Sequence, residues 1–255
     1  REAEQRFVFD GIAVPPVPSL LRNFSAPVIV DYAYPEDELT HLMAHDADPF
    51  NRWEAGQRLA ASIILGKSGQ PTPAYVDAVR RVLAGAARDP AFAAEALALP
   101  SESFLAEQLE IVDPDAVHAA RNALMGRLAE ALRSQFTLLY EAMRVPAPYS
   151  PDAASAGRRA LRNLCLGYLM ELADQPARSL ALGQFDAADN MTDAMAALSA
   201  LANCDCPERA PALGRFYEKW KSEPLVVDKW FAVQATSRLP STLENVERLA
   251  AHPAF

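Results

Sequence analysis

Residues 115–143 read DAVHAARNALMGRLAEALRSQFTLLYEAM, and the spacing within this stretch decides the fold class. Val117, Ala120, Leu124, Leu128, Leu132, Phe136, Leu139 and Met143 recur at steps of three and four. That period places them on one face of a helix. Residues 189–202 repeat the pattern with Met191, Met195, Leu198 and Leu201, and alanine fills most positions between. Alanine has the highest helix propensity, and its short side chain lets helices approach closely.

The prolines locate the helix starts. Asp48-Pro49, Thr72-Pro73, Asp89-Pro90, Asp113-Pro114, Gln175-Pro176, Cys206-Pro207 and Glu223-Pro224 each open an apolar-periodic segment. Proline has no N–H, and the first helical N–H has no intrahelical partner to lose. An Asp or Thr just before it can cap a later free N–H. Each pair therefore predicts a new helix.

Before Tyr34 the texture differs. Phe7, Phe9, Ile12, Val14, Val28, Val30 and Tyr32 partly alternate and are interrupted by prolines. This predicts short strands, some at a sheet edge, where proline is tolerated. The expected fold is mainly α: a short N-terminal antiparallel β segment over residues 1–34, then helices over 35–255. Short loops make successive helices neighbours, so a curved superhelical array of antiparallel helices is expected. No strict repeat period is present.

Composition excludes several classes of function. The formal charge of −9 argues against a general nucleic-acid binder, because phosphate contacts need clustered Lys and Arg. No apolar run approaches the roughly 18–20 residues that span a bilayer. The three cysteines, Cys165, Cys204 and Cys206, do not form a disulfide framework. Cys165 lies in an apolar pattern and reads as a small core residue. Cys204 and Cys206 read as loop thiols of a reducing cytoplasm, since two thiolates alone do not complete a four-ligand zinc site.

Candidate sites are few. His41 and His45, at i and i+4, face one side of a helix as zinc requires. Position 42 is Leu, where a zinc peptidase needs a general-base Glu, and spacing identifies no third ligand. His118 and His252 are isolated. Asp189, Asn190 and Asp193 read either as residues facing a peptide channel or as the start of a helix, with Asn190 or Asp189 as cap. Trp230 and Phe231 read as core anchors or as a binding patch. Glu102, Glu107 and Glu110 read as a solvated helix face. No G-x-S-x-G, G-x-x-x-x-G-K-[ST] or G-x-G-x-x-G occurs.

Two stretches carry a family resemblance: residues 190–199 (NMTDAMAALS) and 228–235 (DKWFAVQA). Together they resemble the C-terminal helical region of the bacterial alanyl aminopeptidases, the gluzincin-type zinc enzymes called aminopeptidase N. Residues 4–9 (EQRFVF), 15–28 (PPVPSLLRNFSAPV), Arg52-Trp53-Glu54-Ala55 and Arg162-Asn163-Leu164-Cys165 follow in the family's order. The resemblance spans most of the chain and is weakest between residues 85 and 155. It implies that residues 1–34 are the C-terminal part of a small β-sandwich domain. Residues 35–255 would then be an α-helical C-terminal domain that continues past Phe255. It also implies peptide hydrolysis by a zinc-activated water, with zinc held by an H-E-x-x-H helix and a downstream Glu.

This chain contains no H-E-x-x-H. The resemblance therefore carries no catalytic, cofactor-binding or metal residue onto it. The expected role is to wall the active-site chamber of a cytoplasmic, peptide-catabolising enzyme. The implied partners are an upstream catalytic domain and peptide substrates, with no nucleic acid and no membrane. The first residue, Arg1, is not Met and leads directly into strand-like sequence, as expected of a segment with protein upstream of it. An alternative is a stand-alone helical scaffold whose concave face binds a peptide or protein. A third is a small metalloenzyme built on His41 and His45.

Overall fold

The computed structural model describes residues 4–66, 68–145 and 148–255. Arg1 lies outside them. The described chain is mainly helical. A 3-10 turn at Arg22–Phe24 precedes α1 (Glu36–His45), α2 (Pro49–Leu65), α3 (Pro73–Gly85), α4 (Pro90–Leu97) and α5 (Glu102–Ala106). Then come α6 (Pro114–Ala131), α7 (Arg133–Ala142), α8 (Ala153–Met170) and α9 (Gln175–Ala187). The last four are α10 (Met191–Ala202), α11 (Arg209–Trp220), α12 (Pro224–Ala235) and α13 (Thr242–Ala250).

The proline rule places most of these starts. Pro49, Pro73, Pro90 and Pro114 are first residues of helices, and Asp48, Thr72, Asp89 and Asp113 each accept from the backbone N–H three positions on. Pro224 also opens its helix, although Glu223 makes no side-chain cap. Two sites depart from the rule. At α9 the cap is Asp174, one residue earlier, and it accepts from the Ala177 amide at 3.0 Å. Pro207 lies in a turn, and α11 begins at Arg209 with Pro211 in its first turn. There the missing N–H is again one that has no intrahelical partner.

Successive helices pack on one another: α1 on α2, α7 on α8, α9 on α10, and then α10 through α13 in order. The centre is α8, which touches α4, α6, α7, α9 and α10. Its Leu161, Cys165, Leu166, Tyr168 and Leu169 are buried. Tyr168 stacks on Phe136 of α7 with ring centroids 4.5 Å apart and planes 11° apart. Its hydroxyl donates to the Leu97 carbonyl at 2.7 Å, so the buried phenol has a partner. At Gly157 a Cβ would lie 3.1 Å from both the Cβ and the backbone N of Ala91, so this glycine sets the close approach of α8 to α4.

Two expectations change. The apolar stripe over 115–143 is not one straight helix. It breaks at Leu132, with φ −123° and ψ 20°, and neither proline nor glycine stands there. Hydrogen bonds continue on both sides, from the Leu132 amide to Leu128 and from the Phe136 amide to Leu132. The bend lets α6 lie against α2 and α5 while α7 lies against α3 and α8. Leu132, fully buried at the bend, belongs to the core of both.

The second change concerns the N-terminal strands. Among the described residues no strand forms. Phe7, Val8, Phe9, Val14 and Ile29 are exposed, Ile29 at 98%. A strand exists only through a paired neighbour, and no ladder partner is present for residues 4–33. One part of this segment is nevertheless pinned to the helices. Ser19 Oγ and Arg22 donate to the two carboxylate oxygens of Asp46, at 2.5 and 2.8 Å. The Asn23 amide donates to Asp48 at 2.7 Å, and Asn51 Nδ2 donates to the Leu20 carbonyl at 2.8 Å. These bonds hold Leu21, Asn23 and Phe24 at positive φ.

Two predictions follow from this packing and pinning. Phe136→Ala removes the ring on which Tyr168 stacks and is expected to destabilise the chain by about 3–5 kcal/mol in chemical denaturation. The Asp46 carboxyl is desolvated, yet hydrogen bonds from Ser19, the Asp48 amide and Arg22 hold it below its usual range. A depressed folded value stabilises above the unfolded value of 3.8 and is lost as pH falls through the folded one. Amide resonances of residues 19–24 should therefore shift toward free-chain positions as pH falls below about 4. In Asp46→Asn they should already be shifted at neutral pH.

Candidate functional site

The polar cleft of this molecule lies where α7, α8, α9 and the start of α10 converge. Its volume is about 410 Å³. Tyr140, Glu141 and Arg144 line it from α7 and just beyond, Arg162 from α8, Gln184 from α9, and Asp189 and Asp193 from the start of α10.

Asp193 is 9% exposed and organises one wall. Its backbone amide donates to the Asn190 side-chain oxygen at 2.9 Å, which makes Asn190 the cap of α10. In return Asn190 Nδ2 donates to Asp193 Oδ2 at 3.0 Å. The other carboxylate oxygen accepts from Asn163 Nδ2 of α8 at 3.0 Å. Gln184 Nε2 of α9 donates to both Asn163 Oδ1 at 2.7 Å and the Asp193 carbonyl at 3.1 Å. Asp193, through its carboxylate and its backbone carbonyl, thus ties three helices together by way of neutral amides. Among the described residues it has no ion-pair partner. Its place in the first turn of α10, where the helix dipole is positive, compensates part of that charge.

Arg162 lines the same cleft. Its guanidinium lies over the Tyr140 ring at 4.4 Å and donates to the Tyr140 hydroxyl at 2.9 Å. Burial pushes the Tyr140 phenol above its usual range, and the Arg162 charge opposes that rise. Arg162 makes no ion pair among the described residues. Two buried polar atoms beside the cleft have no partner: Arg162 Nε, a donor, and Gln184 Oε1, an acceptor. Both atoms are fully covered, so they lie behind the lining of the cleft and do not face its space.

The structure brings together two stretches that stood apart in sequence. Arg162-Asn163 and Asn190–Asp193 meet through the Asn163–Asp193 hydrogen bond. Asn190 and Asp193 do start a helix, and Asp193 also lines the cleft, while Asp189 accepts from the Tyr149 amide at 3.1 Å. Residues 228–235 go elsewhere. Trp230 is buried and donates to the Leu213 carbonyl at 2.9 Å, so it anchors the core, and Phe231 packs beside it. Arg52 donates to the Met43 carbonyl and lies over the Phe92 ring.

The remaining candidates form no shared site. His41 and His45 are both exposed with rings 5.1 Å apart. Among the described residues no group of three or more His, Cys, Asp or Glu is arranged to hold a metal. His118 is not isolated, because it bridges Glu102 and Asn122 at 2.7 and 2.9 Å. His252 sits in an aromatic cluster of Tyr217, Trp230 and Phe231. Sequence reasoning missed Tyr140, Arg144 and Gln184. A signal for Gln184 existed: it follows Ala177 and Ala181 on the buried stripe of α9, where a polar side chain demands partners.

The thiols are shielded. Burial pushes Cys165 and Cys206 up to about 12, and for Cys206 the neighbouring Cys204 thiol adds to the rise. At pH 8 the Cys206 thiolate fraction is then roughly one part in ten thousand. Iodoacetamide should leave these two cysteines unmodified in the native chain and alkylate all three only after denaturation, as read by mass spectrometry.

Comparison with known proteins agrees with this geometry. The description "domain of unknown function (DUF3458_C), ARM repeats" matches residues 36–255, and "domain of unknown function (DUF3458), Ig-like fold" matches residues 1–33. The chain is 45% identical to aminopeptidase N of Caulobacter vibrioides, 41% to that of Escherichia coli and 35% to that of Haemophilus influenzae. Each match covers 100% of this chain and 30% of the relative, so the chain spans under a third of those proteins. The crystal structure of Legionella pneumophila aminopeptidase A in complex with aspartic acid superposes with a TM-score of 0.82 and 31% identity. It covers 96% of this chain and 30% of that one. The chain belongs to this ARM-repeat domain family and is homologous along its whole length to the C-terminal region of bacterial aminopeptidase N.

Proposed function

We propose that this chain is the C-terminal portion of a zinc-dependent aminopeptidase that removes N-terminal residues from peptides. The observation that carries this reading is its full-length identity of 45% and 41% with two proteins named aminopeptidase N. Peptide-bond hydrolysis would take place in an upstream catalytic domain of the same polypeptide. When bound there, zinc supplies Lewis acidity and an activated water. The residues described here do not fit that metal, because His41 and His45 have no third ligand beside them. No step of the reaction is assigned to this chain.

Its role in the longer protein is to wall the chamber in which peptides are held. A stacked helical array offers a broad, rigid surface for that purpose. Curvature of the array would make the surface concave, and the domain would continue beyond Phe255. Residues 1–34 would complete a small β-sandwich domain, and residues 35–255 would form the helical domain. The exposed Phe7, Val8, Phe9, Val14 and Ile29 support the first part, since partner strands would cover them. The protein would work in the cytoplasm on peptides. No helix among the described residues is long and apolar enough to cross a membrane.

The test compares the longer enzyme with and without the region equivalent to residues 35–255. Chamber walling predicts faster cleavage of folded proteins and slower cleavage of short peptide substrates once the region is gone. Unchanged rates for both substrates would sink the chamber reading. The isolated chain is expected to show no peptidase activity with added zinc.

A further inference from the structure

We propose that His41 and His45 on α1 form a two-imidazole chelate for one divalent transition-metal ion, whose other coordination positions are left to water. The proposal stands on the end of α1 alone and owes nothing to the aminopeptidase reading. A step of four residues moves a side chain about 6 Å along a helix and only about 40° around it, so the two histidines leave the same face. Both are exposed, and their rings lie 5.1 Å apart, centre to centre, with planes 36° apart.

That separation fits a shared ion. A histidine nitrogen binds zinc at about 2.0–2.1 Å, which puts the ion roughly 3.2 Å from the centre of the ring. Two rings on one ion at the tetrahedral angle then have centres roughly 5 Å apart. The outer torsion of histidine is broad, so an exposed ring can turn a nitrogen to the ion while the backbone stays in place.

The backbone beneath the pair is held. Leu39, Leu42 and Met43 of α1 are buried, and the helix packs on α2 and α3. The last turn, which carries His45, is closed by the bond from the Asp46 amide to the Leu42 carbonyl at 3.0 Å. Asp46 is in turn gripped by Ser19 and Arg22. Ligands positioned before the ion arrives lose little freedom when it binds. Charge does not oppose a cation here. The recess beside the pair is lined by Asp37, Asp77 and Arg81. Asp77 pairs with Arg80, which leaves Asp37 to offset Arg81.

The ligand type selects the ion. Imidazole suits nickel, copper and zinc, whereas magnesium and calcium take oxygen ligands. Two protein ligands do not close a structural or catalytic zinc site, and among the described residues no third His, Cys, Asp or Glu is placed to complete one. The chelate is therefore open, and water fills the rest of the coordination shell. The other two histidines are engaged elsewhere: His118 bridges Glu102 and Asn122, and His252 packs among aromatic rings.

The probe is nickel chloride, titrated into the nitrogen-15-labelled 255-residue chain at neutral pH, with magnesium chloride as control. Paramagnetic nickel broadens amide resonances near it. Saturable broadening is expected at one ion per chain, centred on residues 38–48 of α1 and its end and on residues 74–81 of α3, with Kd on the order of 100 μM. Magnesium should broaden nothing, and excess zinc chloride should displace the nickel and restore the resonances. His41→Gln and His45→Gln should each weaken binding at least about tenfold, because either change removes the second, intramolecular bond to the ion. His118→Gln should leave binding unchanged.

Absence of saturation up to about 2 mM nickel would overturn the proposal. So would broadening centred on His118 or His252, or undiminished affinity in either variant of the pair. The first two readings use the unaltered chain, so a misfolded variant cannot decide the question.

Discussion

The packing around α8 is the constraint on which the rest of this structure depends. Its Leu161, Cys165, Leu166, Tyr168 and Leu169 are buried by helices that precede it and helices that follow it. The stacked Phe136–Tyr168 pair and the Tyr168–Leu97 hydrogen bond fix its position along and around its axis. Protein interiors are as dense as molecular crystals, so a helix held on this many sides cannot shift without moving its neighbours. The same helix carries Arg162 to the cleft and Asn163 to Asp193. The core thus sets the separation between the guanidinium and the Asp193 network to within the precision of its own packing.

Polar groups extend this constraint to regions that lack a deep core. Arg238, in the loop after α12, donates to Asn122 of α6 and to Glu171 at the end of α8, while Ser237 donates to the Ala202 carbonyl. Asn203 receives the Arg238 amide at 2.9 Å. The end of the chain is thereby held to its middle across 116 residues of sequence. At the other end, Asp46, Asp48 and Asn51 grip residues 19–23 by the same means. In both places several of the partners, such as Ser237, Asn203, Ser19, Asp46 and Asp48, are backbone groups or short side chains. Such groups lose little conformational entropy on being ordered, so their hydrogen bonds keep most of their modest net value.

The cleft is the place where this economy is broken. Asp193 and Arg162 are neither solvated freely nor neutralised by each other, and Arg162 Nε and Gln184 Oε1 are buried without partners. Natural sequences satisfy nearly all such atoms, and departures concentrate where a molecule binds. Buried side-chain atoms without partners also occur away from the cleft, on Glu38, Arg158, Arg178, Glu208, Arg209 and Asn245.

Much of this was legible in the sequence. The three-and-four spacing of Val117 through Met143 and the Asp-Pro and Thr-Pro pairs determined that the chain is helical and where helices begin. Those signals are local: a cap and its proline act within one turn, and an amphipathic face is a property of one helix. The resemblance carried by residues 190–199 and 228–235 also led to the right family. The bend at Leu132 was not legible, because no breaker marks it and it arises from the competing demands of α2, α5, α3 and α8. Nor was strand formation decided by the alternation of Phe7, Phe9, Ile12 and Val14, since a strand needs a partner that local sequence cannot supply. The cleft was half legible: Arg162, Asn163, Asn190 and Asp193 stood in quoted motifs and Gln184 lay on an apolar stripe, whereas Tyr140 and Arg144 carried no mark. Sequence alone determined the helices and their order. Only tertiary packing decided which polar side chains share one space, because a charge acquires a site through neighbours that are distant along the chain.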